Sequence, residues 1–186
     1  ITSNRIELSL KEVDGELIDK IVTFLGNCIN SRVKSKNLNN KIFYSKAISF
    51  RSKEISEILY SYGITPRKSF TLDYKLPITW DFMRGVIDGD GSIFKTSQGR
   101  CIIHLISCSE IFIDQIASFL TINNIQYRKN VDKVKYFQLR ISKSTEVLKT
   151  INNLYDNTHI NSLYLQRKYV TAHLVRNYLE CKLSNS

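Results

Sequence analysis

The chain has 186 residues, a formal net charge of +10 at pH 7 and 42% apolar residues. This composition excludes general disorder, and the length suffices for one large domain or two small ones with a packed core. No run reaches the roughly 20 apolar residues of a membrane span, no secretory signal peptide is visible, and the positive charge favours a polyanionic partner.

The first half of the chain predicts a small unit of strands and helices. Polar and apolar residues alternate from Arg5 to Lys11, which indicates a half-buried strand with one polar face. A helix is predicted over residues 17–25, with Gly26 as its C-terminal cap. Two further strands and a second helix follow, near residues 30–36, 44–50 and 52–62.

The second half predicts the same kind of unit. A helix starts at Trp80, capped by Thr79. After it come two strands, and then a Ser107-x-x-Glu110 capping box that predicts the start of a helix containing Ile113. The remaining predicted strands lie near 126–130 and 135–141, and the remaining helices near 144–155 and 161–179. Each unit is therefore expected to be α+β, a mainly antiparallel sheet with helices on one face.

The two halves resemble each other when the chain is shifted by 95 positions. Identical pairs include Arg5/Arg100, Leu10/Leu105 and Ile18/Ile113, and the buried face of the first helix recurs. The net charge is +5 on each side of residue 80. A duplicated and evenly basic protein suits a ligand with pseudo-twofold symmetry, and duplex DNA is such a ligand.

The segment from Trp80 to Phe94 carries the most chemical information. Gly85 and Gly89 lie four apart on one helix face, which predicts that another backbone packs closely against them. Asp88 and Asp90 fall at the C-terminal end of the predicted helix, where the helix dipole disfavours carboxylates. A compensating cation is therefore expected, either a bound divalent metal or a nearby lysine.

This segment and the cysteines also admit other interpretations. Asp-Gly-Asp-Gly is common in turns, and an EF-hand is excluded because Ile93 and Gly99 stand where glycine and glutamate are required. Walker A, Rossmann, H-E-x-x-H and G-x-S-x-G patterns are absent. The four cysteines form no CxxC pair and have no histidine at zinc-finger spacing, which disfavours a disulfide or zinc framework.

The stretch Met83–Gly91 resembles the LAGLIDADG motif of homing endonucleases. Five of its nine letters match, while Arg84 replaces a small residue. The resemblance covers nearly the whole chain and implies two pseudo-symmetric αββαββα-type repeats whose antiparallel sheets form a DNA-binding saddle. The repeats would span residues 1–70 and 79–186, joined by a linker at 71–78.

The resemblance also implies roles for individual residues. Asp90, together with Gly89, would bind Mg²⁺, or Mn²⁺ or Ca²⁺ in its place, and the metal would activate water. Asp88 would be structural, and Gly85 and Gly91 would serve helix packing in the motif. Lys168, and by the repeat Lys68, resemble the family's active-site lysine; plain phosphate contact or surface charge is the alternative for both.

The family grips the major groove of double-stranded DNA with its two sheets. The matching face positions in the first unit are Glu7, Ser9, Lys11, Arg32 and Lys34. In the second unit they are Ser92, Thr96, Gln98, His104, Gln126, Arg128, Gln138 and Arg140. Among these side chains, arginine can pair with guanine and glutamine with adenine. Which of them contact bases and which contact phosphates stays open.

Two-unit members of the family carry two motifs, and the chain shows one. The offset of 95 places the first motif just before Ile1, so we expect a pseudo-dimeric monomer completed by a missing N-terminal segment.

The first hypothesis for the function is an intron-encoded, intracellular endonuclease that cuts both DNA strands. The second is a non-cleaving member of the fold, an intron RNA-splicing maturase or a DNA-binding regulator. An unrelated basic domain and an intein are disfavoured. The composition is typical of AT-rich coding, as in a mitochondrion, phage or low-GC bacterium.

Overall fold

The computed structural model describes residues 4–66, 70–132, 136–156, 158 and 162–185, and it divides into two compact units between residues 61 and 62. The first unit contains β1 (Arg5–Lys11), α1 (Gly15–Phe24), β2 (Ser31–Leu38), β3 (Lys41–Arg51) and α2 (Lys53–Ser61). The second contains α3 (Trp80–Asp90), β4 (Gly91–Lys95), β5 (Cys101–Ser107), α4 (Glu110–Ile122), β6 (Arg128–Val131), β7 (Phe137–Ile141), α5 (Ser144–Tyr155) and α6 (Gln166–Ser184). Within these ranges no helix is long and apolar enough to cross a membrane.

The first unit is a three-stranded antiparallel sheet with helices. Its strand order is β1-β3-β2. The buried apolar residues of this unit are Ile18 on α1 and Ala47 and Ile48 on β3. Gly26 follows α1 with a φ of +73°, and its amide donates to the carbonyl of Thr23, so the predicted cap is confirmed.

The second unit is larger and has the better-developed core. Its four strands run antiparallel in the order β4-β5-β7-β6. Alternate residues point to one face of the sheet and are buried against the helices, because side chains on a strand alternate with a period of two. The buried sheet residues of this core are Ile93, Cys101, Ile103, Leu105, Leu139 and Ile141, and the helix residues include Met83, Ile87, Ile113, Ile116, Leu120, Val147, Ile151, Leu154 and Leu179.

The internal repeat is visible in the strand pairing. The order β5-β7-β6 in the second unit reproduces the order β1-β3-β2 in the first. The register matches as well: Leu8 is opposite Ile48, and the corresponding Ile103 is opposite Ile141. The predicted fold class, two α+β repeats with antiparallel sheets, is therefore confirmed.

The predicted capping box at Ser107 is wrong in its position. Ser109 is the N-cap of α4, and its hydroxyl accepts a hydrogen bond from the amide of Phe112 at 3.3 Å. Ser107 is still the last residue of β5. A capping oxygen must reach an amide two or three residues ahead, and Ser109 is the serine at that distance from the first turn.

Candidate active site

Helix α3 leads directly into strand β4, and the junction carries the motif. Thr79 has extended backbone angles, and its hydroxyl accepts from the amide of Phe82 at 3.2 Å, which confirms the predicted N-cap. At the other end, a Cβ on Gly91 would lie 2.7 Å from the Cα of Ile87. Only glycine fits there, so the sharp change from helix to strand depends on Gly91.

Asp90 is the last residue of α3 and is exposed. Its side chain borders a cavity of about 230 Å³ lined by Cys108 and Tyr136 among others, and a second cavity of about 330 Å³ that also borders Gly85 and Gly89. Among the residues that the structure describes, none forms a hydrogen bond or an ion pair with its carboxylate.

The surroundings of Asp90 suit a hard divalent cation. A carboxylate at a helix C-terminus has an unfavourable interaction with the helix dipole. A cation bound to the carboxylate would offset that interaction. Mg²⁺ is usually held by one or two carboxylates and keeps several waters. The Asp90 carboxylate and the Gly89 carbonyl at the exposed helix end would supply the protein oxygens.

Asp88 has a different environment from Asp90, only two residues away. It is 5% exposed, and its Oδ2 accepts from the backbone amide of Leu165 at 2.8 Å, immediately before α6. Burial raises the pKa of the Asp88 carboxyl, against the opposing effects of the Leu165 amide and of the positive charges on Lys168 and Arg84. The side chain therefore connects α3 to the residue immediately before α6, and the structural role expected for Asp88 stays a prediction.

Lys168 is buried beneath the end of the motif helix. It is 7% exposed, and its ammonium donates to the backbone carbonyls of Ile87, Asp88 and Gly91 at 2.5, 2.7 and 2.7 Å. A nearby lysine, one of the two compensating cations predicted for this helix end, is therefore present. The predicted catalytic role of Lys168 stays a prediction, and Lys68 lies outside the described residues.

Arg84, the departure from the motif pattern, is also buried. Its Nη1 donates to the carbonyl of Leu154 at the end of α5 at 2.8 Å, and its Nε to the carbonyl of Leu163 at 3.4 Å. Its Nη2 pairs with Asp81 one turn earlier. Sequence reasoning noted this residue as a mismatch but assigned it no role, although an arginine among apolar motif letters was a usable signal.

Gly85 and Gly89 form an open face of α3. A Cβ built on either glycine meets no described atom of residues 62–186 within 4 Å, apart from its own helix neighbours. The predicted close approach of another backbone is therefore not made inside this unit and stays a prediction.

The outer face of the second sheet carries a polar row. Ser92, His104, Arg140 and Arg128 lie directly opposite one another on the four neighbouring strands, so their side chains share one face. Gln138 is on the same face, two residues from Arg140. Five of the eight predicted positions of this unit thus lie together.

The other three predicted positions lie outside the strands. The Thr96 hydroxyl accepts from the amide of Arg100 at 3.1 Å and so shapes the turn between β4 and β5, where Gln98 also lies. Gln126 precedes β6, and its Oε1 accepts from the Lys143 ammonium at 3.4 Å.

A basic concavity adjoins this row. It has a volume of about 560 Å³, and no carboxylate is among its described lining residues. The side chains that line it are Arg100, Gln126, Tyr127, Arg128, Arg140, Ser142 and Lys143. Four cations converge there, of which Arg100 and Lys143 were missed as binding residues from the sequence. Such a concavity attracts phosphate or the acceptor edge of guanine.

The first unit presents a comparable face. Glu7 is opposite Ser49, Ser9 and Arg32 flank Ala47, and Lys11 and Lys34 flank Ser45, so the predicted set shares one side of the sheet. The Lys34 ammonium contacts the Glu7 carboxylate, and that contact lowers the pKa of Glu7. The predicted positions of this unit are therefore brought together by the register.

Comparison with known proteins agrees with this geometry. Residues 80–169 match the model of the LAGLIDADG-like domain family. The homing endonuclease I-GzeII in complex with its DNA target superposes with a TM-score of 0.65 at 14% identity, covering 97% of this chain and 81% of that chain. I-SmaMI bound to cleaved DNA gives 0.61 at 11% identity, covering 97% and 80%. I-SmaMI bound to uncleaved DNA with calcium ions gives 0.62 at 12%, covering 97% and 81%.

At these identities the structural likeness establishes the fold. No curated protein sequence matches the chain. The predicted resemblance to the LAGLIDADG family is confirmed by the family match and by the fold together.

Proposed function

Residues 80–169 of the chain match the model of the LAGLIDADG-like domain family, and from that match we propose that the protein is a site-specific endonuclease. It would bind a long double-stranded DNA site and hydrolyse a phosphodiester bond in each strand with a divalent metal. The observation that carries the proposal is the placement of Asp90. Its exposed carboxylate ends the motif helix, and two residues later Ser92 begins the polar row of the sheet.

The residues of this chain divide the work of the proposed reaction. Asp90, with the carbonyl of Gly89, would hold the metal, which when bound supplies an activated water and stabilises charge on the scissile phosphate. Asp88 does not share that task, because its carboxylate is buried and accepts from the Leu165 amide. The Gly91 junction sets the direction in which Asp90 points.

DNA binding would rest on the two polar sheet faces. Lys11, Arg32 and Lys34 in the first unit and Arg128 and Arg140 in the second provide cations on one side of each sheet. Contacts from such side chains to phosphates fix the position of a protein on the duplex, and contacts to base edges give sequence selectivity. The proposed endonuclease would therefore recognise its DNA site through the strands of the two sheets and cleave it with Asp90, the acid that precedes β4.

The proposal is tested by selecting a DNA target and cutting it. Sequences bound by the protein are enriched from a random duplex library in Ca²⁺, cloned into a plasmid and incubated with Mg²⁺. We expect linearisation by the full-length wild-type gene product and none by its Asp90→Asn variant, with equal DNA binding by both. Glu180→Gln, an exposed acid on α6, is the matched control and should cut like the wild type.

Two results would overturn the proposal. One is cutting by Asp90→Asn at the wild-type rate. The other is tight, metal-independent binding to intron RNA with no cleavage of any selected DNA, which would support the alternative of a splicing maturase.

A further inference from the structure

Three buried ionic side chains hold the inner side of the motif helix. We propose that Arg84, Asp88 and Lys168 form a clamp that fixes the position of Asp90, and that Lys168 is a positioning residue whose amine does not contact phosphate. The inference rests on the proposed function for the role of Asp90, and the clamp itself rests on contacts within the second unit.

Lys168 has a donor geometry that matches its surroundings. An ammonium carries three N–H donors, and three backbone carbonyls lie within 2.7 Å of it. The last carbonyls of a helix lack partners inside the helix, and a cation there also interacts favourably with the helix dipole. The carbonyls of Asp88 and Gly91 stand on either side of Asp90 along the chain. Because the ammonium holds both carbonyls, it restricts the backbone that carries Asp90.

Arg84 and Asp88 attach the same helix at two further points. They are four residues apart and so share one face of α3. Arg84 donates to carbonyls of Leu154 and Leu163, and Asp88 accepts from the amide of Leu165. All of these contacts, with those of Lys168, connect α3 to the end of α5 and to residues 163–168. The motif helix is thus held in place mainly by its contacts with residues 163–168.

The buried ammonium differs from a lysine that acts on phosphate. A lysine that stabilises charge on a phosphate must present its amine to that group, whereas this amine is enclosed by backbone. A guanidinium is larger and planar and cannot replace an ammonium among three converging carbonyls. Substitution by arginine therefore distinguishes the two roles, because an exposed charge at an active site retains much of its effect in an arginine.

The test compares Lys168→Met, Lys168→Arg and Arg84→Met with a matched lysine. Lys149 is exposed and donates to the carbonyls of Asn123 and Asn124 after α4, so Lys149→Met removes a similar contact away from the motif. Each variant is measured for its melting temperature, its DNA affinity in Ca²⁺, its binding of Mn²⁺ by electron paramagnetic resonance, and the Mg²⁺ concentration for half-maximal cleavage.

We expect both Lys168 variants to lose about 6 to 12 °C in melting temperature. Methionine leaves the buried carbonyls without a donor, and the larger, planar guanidinium of arginine does not fit among them. Lys149→Met should lose about 3 °C or less, since its contact is exposed. Arg84→Met, which retains Lys168, should fold, bind DNA normally and require several-fold more Mn²⁺ and Mg²⁺ than the wild type.

Each outcome bears on one part of the inference. Wild-type melting temperatures in both Lys168 variants would overturn the clamp, and so would a normal Lys168→Arg beside a stable, inactive Lys168→Met. A wild-type metal response in Arg84→Met would overturn the link to Asp90. If the wild-type protein cuts no DNA, the proposed function fails, and the melting temperatures still decide the clamp.

Discussion

Two aspartates of the motif show how environment separates the roles of identical side chains. Asp90 is exposed at the helix end and borders two cavities, whereas Asp88 is buried and accepts from a backbone amide. The sequence could predict that Asp90 lies near a metal, because the motif pattern marks its last acid as the metal ligand. The depth of Asp88 depends on residues 163–168, which no local pattern indicates.

Lys168 shows where sequence reasoning reaches its limit at this scale. In an Arg-Lys pair a lysine is expected at the surface, and its burial follows from the approach of α6 to the end of α3. The prediction identified the residue and the need for a cation at the helix end. It had no means of showing that three backbone carbonyls meet the amine, since that requires contacts between segments about 80 positions apart.

Gly85 gives a prediction that depends on its own surroundings. In the described unit its Cβ position is open, and alanine is favoured over glycine in a helix by about 1 kcal/mol. Gly85→Ala should therefore raise the melting temperature of the 186-residue chain by about 2 to 4 °C in a thermal scan. A fall would show that this face is covered by another backbone, as the sequence interpretation expects.

His173 gives a pH dependence of stability. It packs against Tyr169 with ring centroids 4.2 Å apart, and burial, with a smaller effect of Arg176, lowers its pKa below the usual 6.5. The folded protein thus binds this proton less tightly than the unfolded chain does, so stability is present above about pH 6.5 and is lost as the pH falls below it. His173→Gln should flatten the decline in melting temperature between pH 7 and pH 5, and an unchanged decline would contradict this assignment.

At the scale of elements, most strands and helices follow from short-range patterns. The alternation in Arg5–Lys11 and the motif helix from Trp80 were predicted with bounds close to those observed. The errors arose where two local signals compete. Ser107 and Ser109 both offer a capping hydroxyl, and the length of β5 decides between them. The start of α6 at Gln166 was likewise placed too early, at residue 161.

The sheet of the second unit gives a prediction about salt. Arg128 and Arg140 are opposite each other and line the basic concavity, so we expect each to neutralise one DNA phosphate. Arg128→Ala/Arg140→Ala should reduce the slope of log affinity against log salt concentration by about 1.8. Fluorescence anisotropy over a salt series measures the slope.

The control for this measurement is Lys149→Ala, which removes an exposed cation from α5. Its slope should equal that of the wild type. An unchanged slope in the double arginine variant, or an equal change in the control, would contradict the assignment of this sheet face to DNA binding.

At the scale of the whole molecule, the net positive charge and the motif acid are distributed differently. The net charge is divided evenly about residue 80, and both units repeat one strand order with a polar face. The motif acid lies in the second unit. Because the cations that would bind DNA and the acid that would cut it are different residues, binding and hydrolysis are expected to be separable by substitution.

The central claim is that Asp90 supports metal-dependent hydrolysis of DNA. Its most direct test is the single-turnover cleavage rate of a selected site in Mg²⁺, for the wild-type protein and Asp90→Asn, with DNA affinity measured in Ca²⁺. Loss of a metal ligand removes several kcal/mol of transition-state stabilisation, so we predict a rate at least about 100-fold lower in the variant with affinity unchanged. Equal cleavage rates in the two proteins would contradict the account.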